Sequence, residues 1–129
     1  MRVAWFSPLP PASTGIAGYS AEVLPRLDAS GLDIDRYEQL NAHDFVWRHR
    51  LSPYDLVVYQ LGNSGWHDYM WAYLAAYPGL VVLHDPRLHH ARARQLLQGG
   101  RADDYRREFW YDHPHAVRDD LKFLASVAV

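Results

Sequence analysis

Short apolar runs alternate along the chain with stretches in which apolar residues recur every three or four positions, a pattern that predicts strands followed by helices. Val3-Ala4-Trp5-Phe6 is an uninterrupted apolar run closed by Ser7 and Pro8, as a strand buried on both faces requires. From Ile16 onward, Ile16, Tyr19, Val23, Leu24 and Leu27 fall at helical spacing, and Ser13 or Thr14 offers an N-cap ahead of Gly15. A helix to about Leu27 is expected, with Pro25 near its end. Gly31 breaks the chain and a second strand is expected over residues 34–37. Residues 41–53 have no clean period and read either as a short helix or as an irregular connection.

Asp55-Leu56-Val57-Val58-Tyr59-Gln60 is the clearest strand, and the turn-prone Leu61-Gly62-Asn63-Ser64-Gly65 follows it. Trp66, Tyr69, Met70, Tyr73, Leu74 and Tyr77 then mark one helix face, ended by Pro78-Gly79. Leu80-Val81-Val82-Leu83-His84 reads as another buried strand. Asp85-Pro86 has the form of an N-cap followed by proline at the first helical position, so a helix is expected at once, running to about Gln98 before Gly99-Gly100. Residues 101–129 read as one or two helices, the last with Val117, Leu121, Leu124 and Ala128 on an apolar face.

This order argues for right-handed crossovers and an α/β fold, a Rossmann-like three-layer α/β/α domain with a parallel sheet in strand order 2-1-3-4. The 129 residues suffice for one domain with a real core, so a single domain over 1–129 is expected. Four strands followed by helices read as the start of a larger domain, and the chain as a truncated piece of one.

Composition narrows the function classes. The formal net charge is −2, so no overall field gathers nucleic acid or an anionic membrane, and no nucleic-acid partner is expected. The absence of cysteine removes thiolate nucleophiles and cysteine zinc sites and fits a reducing compartment, which makes a cytoplasmic location the expected one. The amino terminus lacks the apolar run of a signal peptide, and no stretch reaches the ~18 apolar residues of a membrane span. Five Trp and nine Tyr give aromatic faces that suit sugar rings, although core filling accounts for most such residues.

Candidate chemistry gathers where strands end. In an open α/β sheet, the loop Ser7-Pro8-Leu9-Pro10-Pro11-Ala12-Ser13-Thr14-Gly15 and the segment Leu83-His84-Asp85 both lie at carboxyl ends of parallel strands, where such sheets bind ligands. The first loop has one glycine before its helix, so it is neither the dinucleotide fingerprint nor a P-loop. Gly15 either lets a ligand approach the amides of residues 15–17, Ile16 among them, or eases a tight turn. His84 faces the same crevice and could hydrogen-bond a sugar hydroxyl; satisfaction by neighbouring backbone is the competing reading. Asp85 is a binding candidate that an N-cap role also explains. Asn63 and Ser64 offer amide and hydroxyl groups of the kind that hold acceptor hydroxyls, or simply make the turn. Tyr19 and Trp66 fit core packing better than sugar stacking. Asp85 and His89 stand four apart on the expected helix, but His84 is on the strand and His90 turns about 100° away, so no metal is expected. The arginines from Arg87 to Arg107 are interrupted by Asp103, Asp104 and Glu108 and read as a solvated helix surface.

Three ordered blocks carry a family resemblance. Arg2-Val3-Ala4-Trp5-Phe6-Ser7-Pro8-Leu9-Pro10-Pro11 with Gly15-Ile16-Ala17-Gly18-Tyr19-Ser20 resembles the amino terminus of retaining GT-B glycosyltransferases of the glycogen synthase and mannosyltransferase type. The segment Tyr54 to Ser64, and Val81-Val82-Leu83-His84-Asp85 with Leu88-His89-His90, resemble its next blocks; the likeness covers roughly residues 1–90. The resemblance implies an acceptor-side amino-terminal domain, with the nucleotide-sugar held by a carboxyl-terminal donor domain absent from these residues. By position it implies that the Gly15 loop approaches donor phosphates and acceptor, and that His84 stands near the transferred sugar as the catalytic candidate. The implied partners are a nucleotide-sugar donor and a glycan or lipid-linked acceptor, with no cofactor. Peripheral membrane contact and self-association stay open. The chain by itself is expected to be inactive. A non-catalytic Rossmann-like binding or assembly module is the rival reading, which exposed contiguous aromatics along residues 105–111 would favour. A flavodoxin-like binder of a phosphate ligand is a lesser one.

Overall fold

The apolar runs become a sheet. In the computed structural model, which describes residues 1–116, β1 (Arg2–Phe6), β2 (Asp33–Tyr37), β3 (Leu56–Leu61) and β4 (Leu80–Leu83) form one all-parallel sheet in the order β2-β1-β3-β4. Helices α1 (Gly15–Ala29), α2 (Asp44–Leu51) and α3 (Met70–Ala76) are the crossovers, giving a Rossmann-like α/β/α arrangement. The described residues pack as two compact units, one of Met1–Gly62 with Trp66–Pro86, the other of Asn63–Gly65 with the residues from Arg87 onward. The second contains α4 (His89–Gln98) and α5 (Ala102–Asp112). The expected last helix with Val117, Leu121, Leu124 and Ala128 lies outside the described residues.

Strand alternation divides the core of the first unit in two. Val3, Trp5, Ile34 and Val58 face α1 and pack with Leu24, supported by Val23 and Leu27. The opposite face is aromatic. Phe6 is fully buried, with ring centroids 5.2 Å from Tyr37, 4.9 Å from Tyr59, 5.1 Å from Phe45 and 5.3 Å from Tyr73. The tyrosine hydroxyls are satisfied in place: Tyr59 donates to the Tyr77 carbonyl at 2.7 Å, Tyr69 to the Tyr37 carbonyl at 2.8 Å, and Tyr54 to Asp35. Burial, foremost, raises the pKa of Tyr54, Tyr59 and Tyr69 and keeps all three protonated.

Two expectations are corrected here, and an open one is decided. The helix over 66–77 is shorter: a 3-10 turn (Gly65–His67) precedes α3, because the Trp66 side chain stays half-exposed while His67 is the residue that turns inward. Of the two readings open for residues 41–53 the short helix is the one found, α2, held to the sheet by a single buried residue, Phe45. β4 is not a buried strand. It is the sheet edge, and Leu80 and Leu83, which alternation sends to opposite faces, are each 52% exposed.

Gly79 sets the approach of β4 to β3. A Cβ there would stand 2.2 Å from the Val57 carbonyl oxygen and 3.1 Å from the Val57 Cβ, and the nearest obstacle is sheet backbone that cannot turn aside. Gly79→Ala is therefore expected to cost about 3 kcal/mol by overpacking. Urea unfolding checks this through a lowered midpoint at unchanged slope.

Candidate functional site

Carboxyl ends of β1, β3 and β4 lie side by side, and each delivers a polar side chain. After β1, Ser7 is fully buried; its hydroxyl donates to the Pro8 carbonyl at 2.7 Å and shares a 2.7 Å hydrogen bond with Ser20 Oγ on α1. Trp5 Nε1 donates to the same Ser20 oxygen at 3.3 Å. These bonds fasten the start of α1 to the strand end. The loop between them is compact, with Ala12 N donating to the Leu9 carbonyl and a cis Pro10–Pro11 peptide.

Thr14 caps α1, its Oγ1 accepting from Ala17 N at 3.0 Å, so one of the amides considered for anion binding is already engaged. Gly15 opens the helix, and a Cβ on it would meet nothing within 4 Å; neither its backbone conformation nor packing demands glycine. That removes the tight turn as its explanation. Ile16 reaches the end of β3: a Cβ built on Gly62 would fall 2.5 Å from Ile16 Cδ1 and 2.9 Å from His67 Nε2.

Gln60 is fully buried near the end of β3 and joins two histidines. His67 Nδ1 donates to its backbone carbonyl at 2.9 Å, and His84 Nε2 donates to its side-chain Oε1 at 2.7 Å. Its Nε2 is buried with no hydrogen-bond partner, at a cost of roughly 1–3 kcal/mol for an unmet buried donor. His84 follows β4, its amide extending the ladder to the Leu61 carbonyl at 3.0 Å. Loss of hydration lowers its pKa, so the imidazole is neutral at pH 7. Tyr19, one turn along α1 from Gly15, meets it edge-on with centroids 4.8 Å apart. Gly15, Ile16, Tyr19, Gln60, Gly62 and His84 therefore belong to one end of one sheet.

Sequence reasoning missed Ser7, Ser20 and Gln60, although a polar residue closing an apolar strand was a usable signal for Gln60. It also expected Tyr19 and Trp66 in the core. Both are instead substantially exposed, Tyr19 at 40% and Trp66 at 50%, since at these turns the buried positions are taken by Ala17, Ser20 and His67.

The remaining candidates lie elsewhere. α4 begins at His89, not directly after Asp85, and Leu88 stands at its N-cap without a side-chain bond. Asn63 supplies that function from a distance, its Oδ1 accepting from Ala91 N at 2.7 Å in the second unit, with Ser64 beside it in the chain. This overturns the N-cap reading of Asp85, which is half-buried in the loop that follows β4. The basic run is largely compensated within the second unit: Arg92 pairs with Glu108, Arg101 and Arg107 with Asp104, and Arg106 with Asp103. Among the described residues no group of three or more His, Asp or Glu side chains could hold a metal ion, and no helix is long and apolar enough to cross a membrane. A hollow of ≈ 340 Å³ lined by Tyr54, Tyr77 and Gly79 opens at the amino ends of β3 and β4, the opposite end of the sheet.

No protein-family profile matches the sequence, and neither a curated protein nor a solved structure shows significant similarity to it.

Proposed function

We propose that these residues are the acceptor-binding, amino-terminal part of a retaining glycosyltransferase that moves a sugar from a nucleotide-sugar donor to a hydroxyl acceptor. One observation carries the reading: His84, held by Gln60 and flanked by Tyr19, shares the carboxyl end of a parallel sheet with the glycine that opens α1. Parallel sheets bind ligands at that end. Retaining transfer draws mainly on holding an acceptor hydroxyl near the anomeric carbon and stabilising the leaving diphosphate, and it needs no dedicated acid-base pair on this side. A neutral His84 suits the first task, as a hydrogen-bonding partner for a hydroxyl. Gly15, where nothing fills the space a side chain would take, suits close approach of substrate to backbone.

The rival assembly module draws less support. Along residues 105–111, Tyr105 and Phe109 are buried, so the exposed aromatics that would favour it are not contiguous.

The reading is tested on the protein as its source cell makes it. Hydrogen exchange is followed with and without UDP-glucose and GDP-mannose, and the intact mass is taken from the same sample. Protection is expected over residues 7–19 and around His84, in a product heavier than this chain. Protection confined to the amino-end hollow at Tyr54, Tyr77 and Gly79, or none with a mass equal to this chain, overturns it. Gly15→Ala sharpens the test: an alanine there is expected to leave the unfolding midpoint unchanged or slightly raised, since it replaces a helical glycine, while reducing transfer roughly tenfold. Full activity in that variant would remove Gly15 from the site.

A further inference from the structure

Large apolar side chains of the first unit gather on one outer surface. Within residues 40–51, Leu40 is 90% exposed, Trp47 65%, Leu51 84% and Val46 37%. Scattered exposed apolar residues need no account, but a contiguous set marks an interaction site. α2 carries most of this set and buries Phe45 alone. At about 100° per residue, the sector opposite Phe45 holds His43, Trp47, Arg50 and Leu51 and no carboxylate. Leu51 stands one turn beyond Trp47, and Arg50 one turn beyond Val46.

The surface is firmly presented. Phe45 packs in the aromatic core, its ring centroid 5.1 Å from Phe6 and 5.6 Å from Tyr54. Asn41 fastens the turn before the helix, its Oδ1 accepting from Glu38 N at 2.7 Å and its Nδ2 donating to the Arg36 carbonyl at 3.1 Å. Leu40 is thus held outward by bonded backbone.

We infer that the outer face of α2, with Leu40, is a membrane-docking surface that seats in the headgroup layer of an anionic lipid bilayer. The charges beside it select that partner. Asp44 is engaged by His43 at 3.3 Å and Asp35 by Arg48 at 3.1 Å, whereas Arg50 is exposed and forms no ion pair among the described residues. Residues 40–52 hold two Arg and one Asp in a chain whose net charge is −2, so the attraction is local. It acts within a Debye length of about 10 Å, where the overall charge counts least. Indole rings settle at the membrane interface, and an arginine beside them keeps its guanidinium among the phosphates. One short apolar face of this kind gives weak, reversible binding. A bilayer accommodates so small a patch without a matching shape, which a protein partner of standard interface size does not.

The inference uses neither His84 nor Gly15 and stands apart from the glycosyltransferase reading. Its test is co-sedimentation of the full protein with vesicles of phosphatidylcholine alone and of phosphatidylcholine with an equal amount of phosphatidylglycerol. Binding is expected to the anionic vesicles only and to weaken as salt is raised. Trp47→Ser and Leu51→Ser are each expected to weaken it roughly tenfold or more, since each removes a large apolar side chain. Arg50→Gln should weaken it about fivefold, the equivalent of about 1 kcal/mol for one basic residue near an anionic surface. All three positions are exposed, so the urea midpoint should not move, and a lost signal cannot be put down to unfolding. No binding by the wild-type protein, equal binding to both vesicles, or binding that survives Trp47→Ser overturns the inference. So does a dimer in sedimentation velocity that Trp47→Ser dissolves, which would give the face to a second copy of the chain.

Discussion

Phe6→Ala is expected to lower the unfolding free energy by about 4 kcal/mol, the upper-middle of the range for truncating a buried aromatic ring. Phe6 is where β1 meets the aromatic face. Its ring lies within 5.5 Å of the centroids of Tyr37, Phe45, Tyr59 and Tyr73, drawn from both neighbouring strands and both helices on that side. Truncation removes buried area and also these offset and edge-on pairings, each worth about 0.5–1.5 kcal/mol beyond the area. The surrounding tyrosines cannot collapse into the cavity cheaply, because Tyr59 and Tyr69 are tethered by their hydroxyls to the Tyr77 and Tyr37 carbonyls. A domain of this size has about 5–15 kcal/mol in hand, so the variant should be marginal at best. Urea unfolding of the two proteins decides it. A loss under about 1 kcal/mol would mean that the aromatic face is not a packed core.

The second large effect concerns activity. His84→Ala is expected to reduce sugar transfer roughly a hundredfold, the scale for removing one well-placed polar group from a transition state, and to cost about 1–3 kcal/mol of stability because it leaves the buried Gln60 Oε1 without its hydrogen bond. The pH dependence has a definite sign. Burial lowers the His84 pKa, so the neutral form is complete above the pKa of free histidine, about 6.5. As pH falls through the lowered folded value the imidazole gains a proton, and both its share of stability and its acceptor lone pair are lost. Activity should therefore fall on the acid side. The His84→Ala variant should lack that limb, and a pH profile of transfer in both proteins checks it. An identical acid limb in the variant would assign it to another group.

Most of the fold was written in local pattern. Apolar runs such as Val3-Ala4-Trp5-Phe6 and the helical recurrence from Ile16 to Leu27 need no distant partner to be recognised, and the strand order 2-1-3-4 follows from their sequence of appearance. What depended on distant partners was not legible. Leu80-Val81-Val82-Leu83 looks the same whether central or at an edge, since exposure is decided by what pairs with it. Asp85-Pro86 carries the local signature of a helix start, but Asn63, 28 residues before Ala91, accepts from the Ala91 amide in the first turn of α4, and the helix begins later. α2 has one buried residue and so no period to detect.

The candidate site divides the same way. His84 and Gly15 were visible because their places follow from strand and helix ends. The bond from His84 to Gln60 spans 24 residues and requires the β3–β4 register that sets Gln60 beside Val82, which no local pattern contains.

The account stands or falls on sugar transfer. The decisive measurement is consumption of labelled UDP-glucose and GDP-mannose by the protein isolated from its source cell, with the anomeric configuration of the product determined, beside the His84→Ala variant. The account predicts turnover with retention in the wild-type protein and a loss of roughly a hundredfold in the variant. No turnover of either donor by the folded wild-type protein, or equal rates in the two proteins, would contradict it.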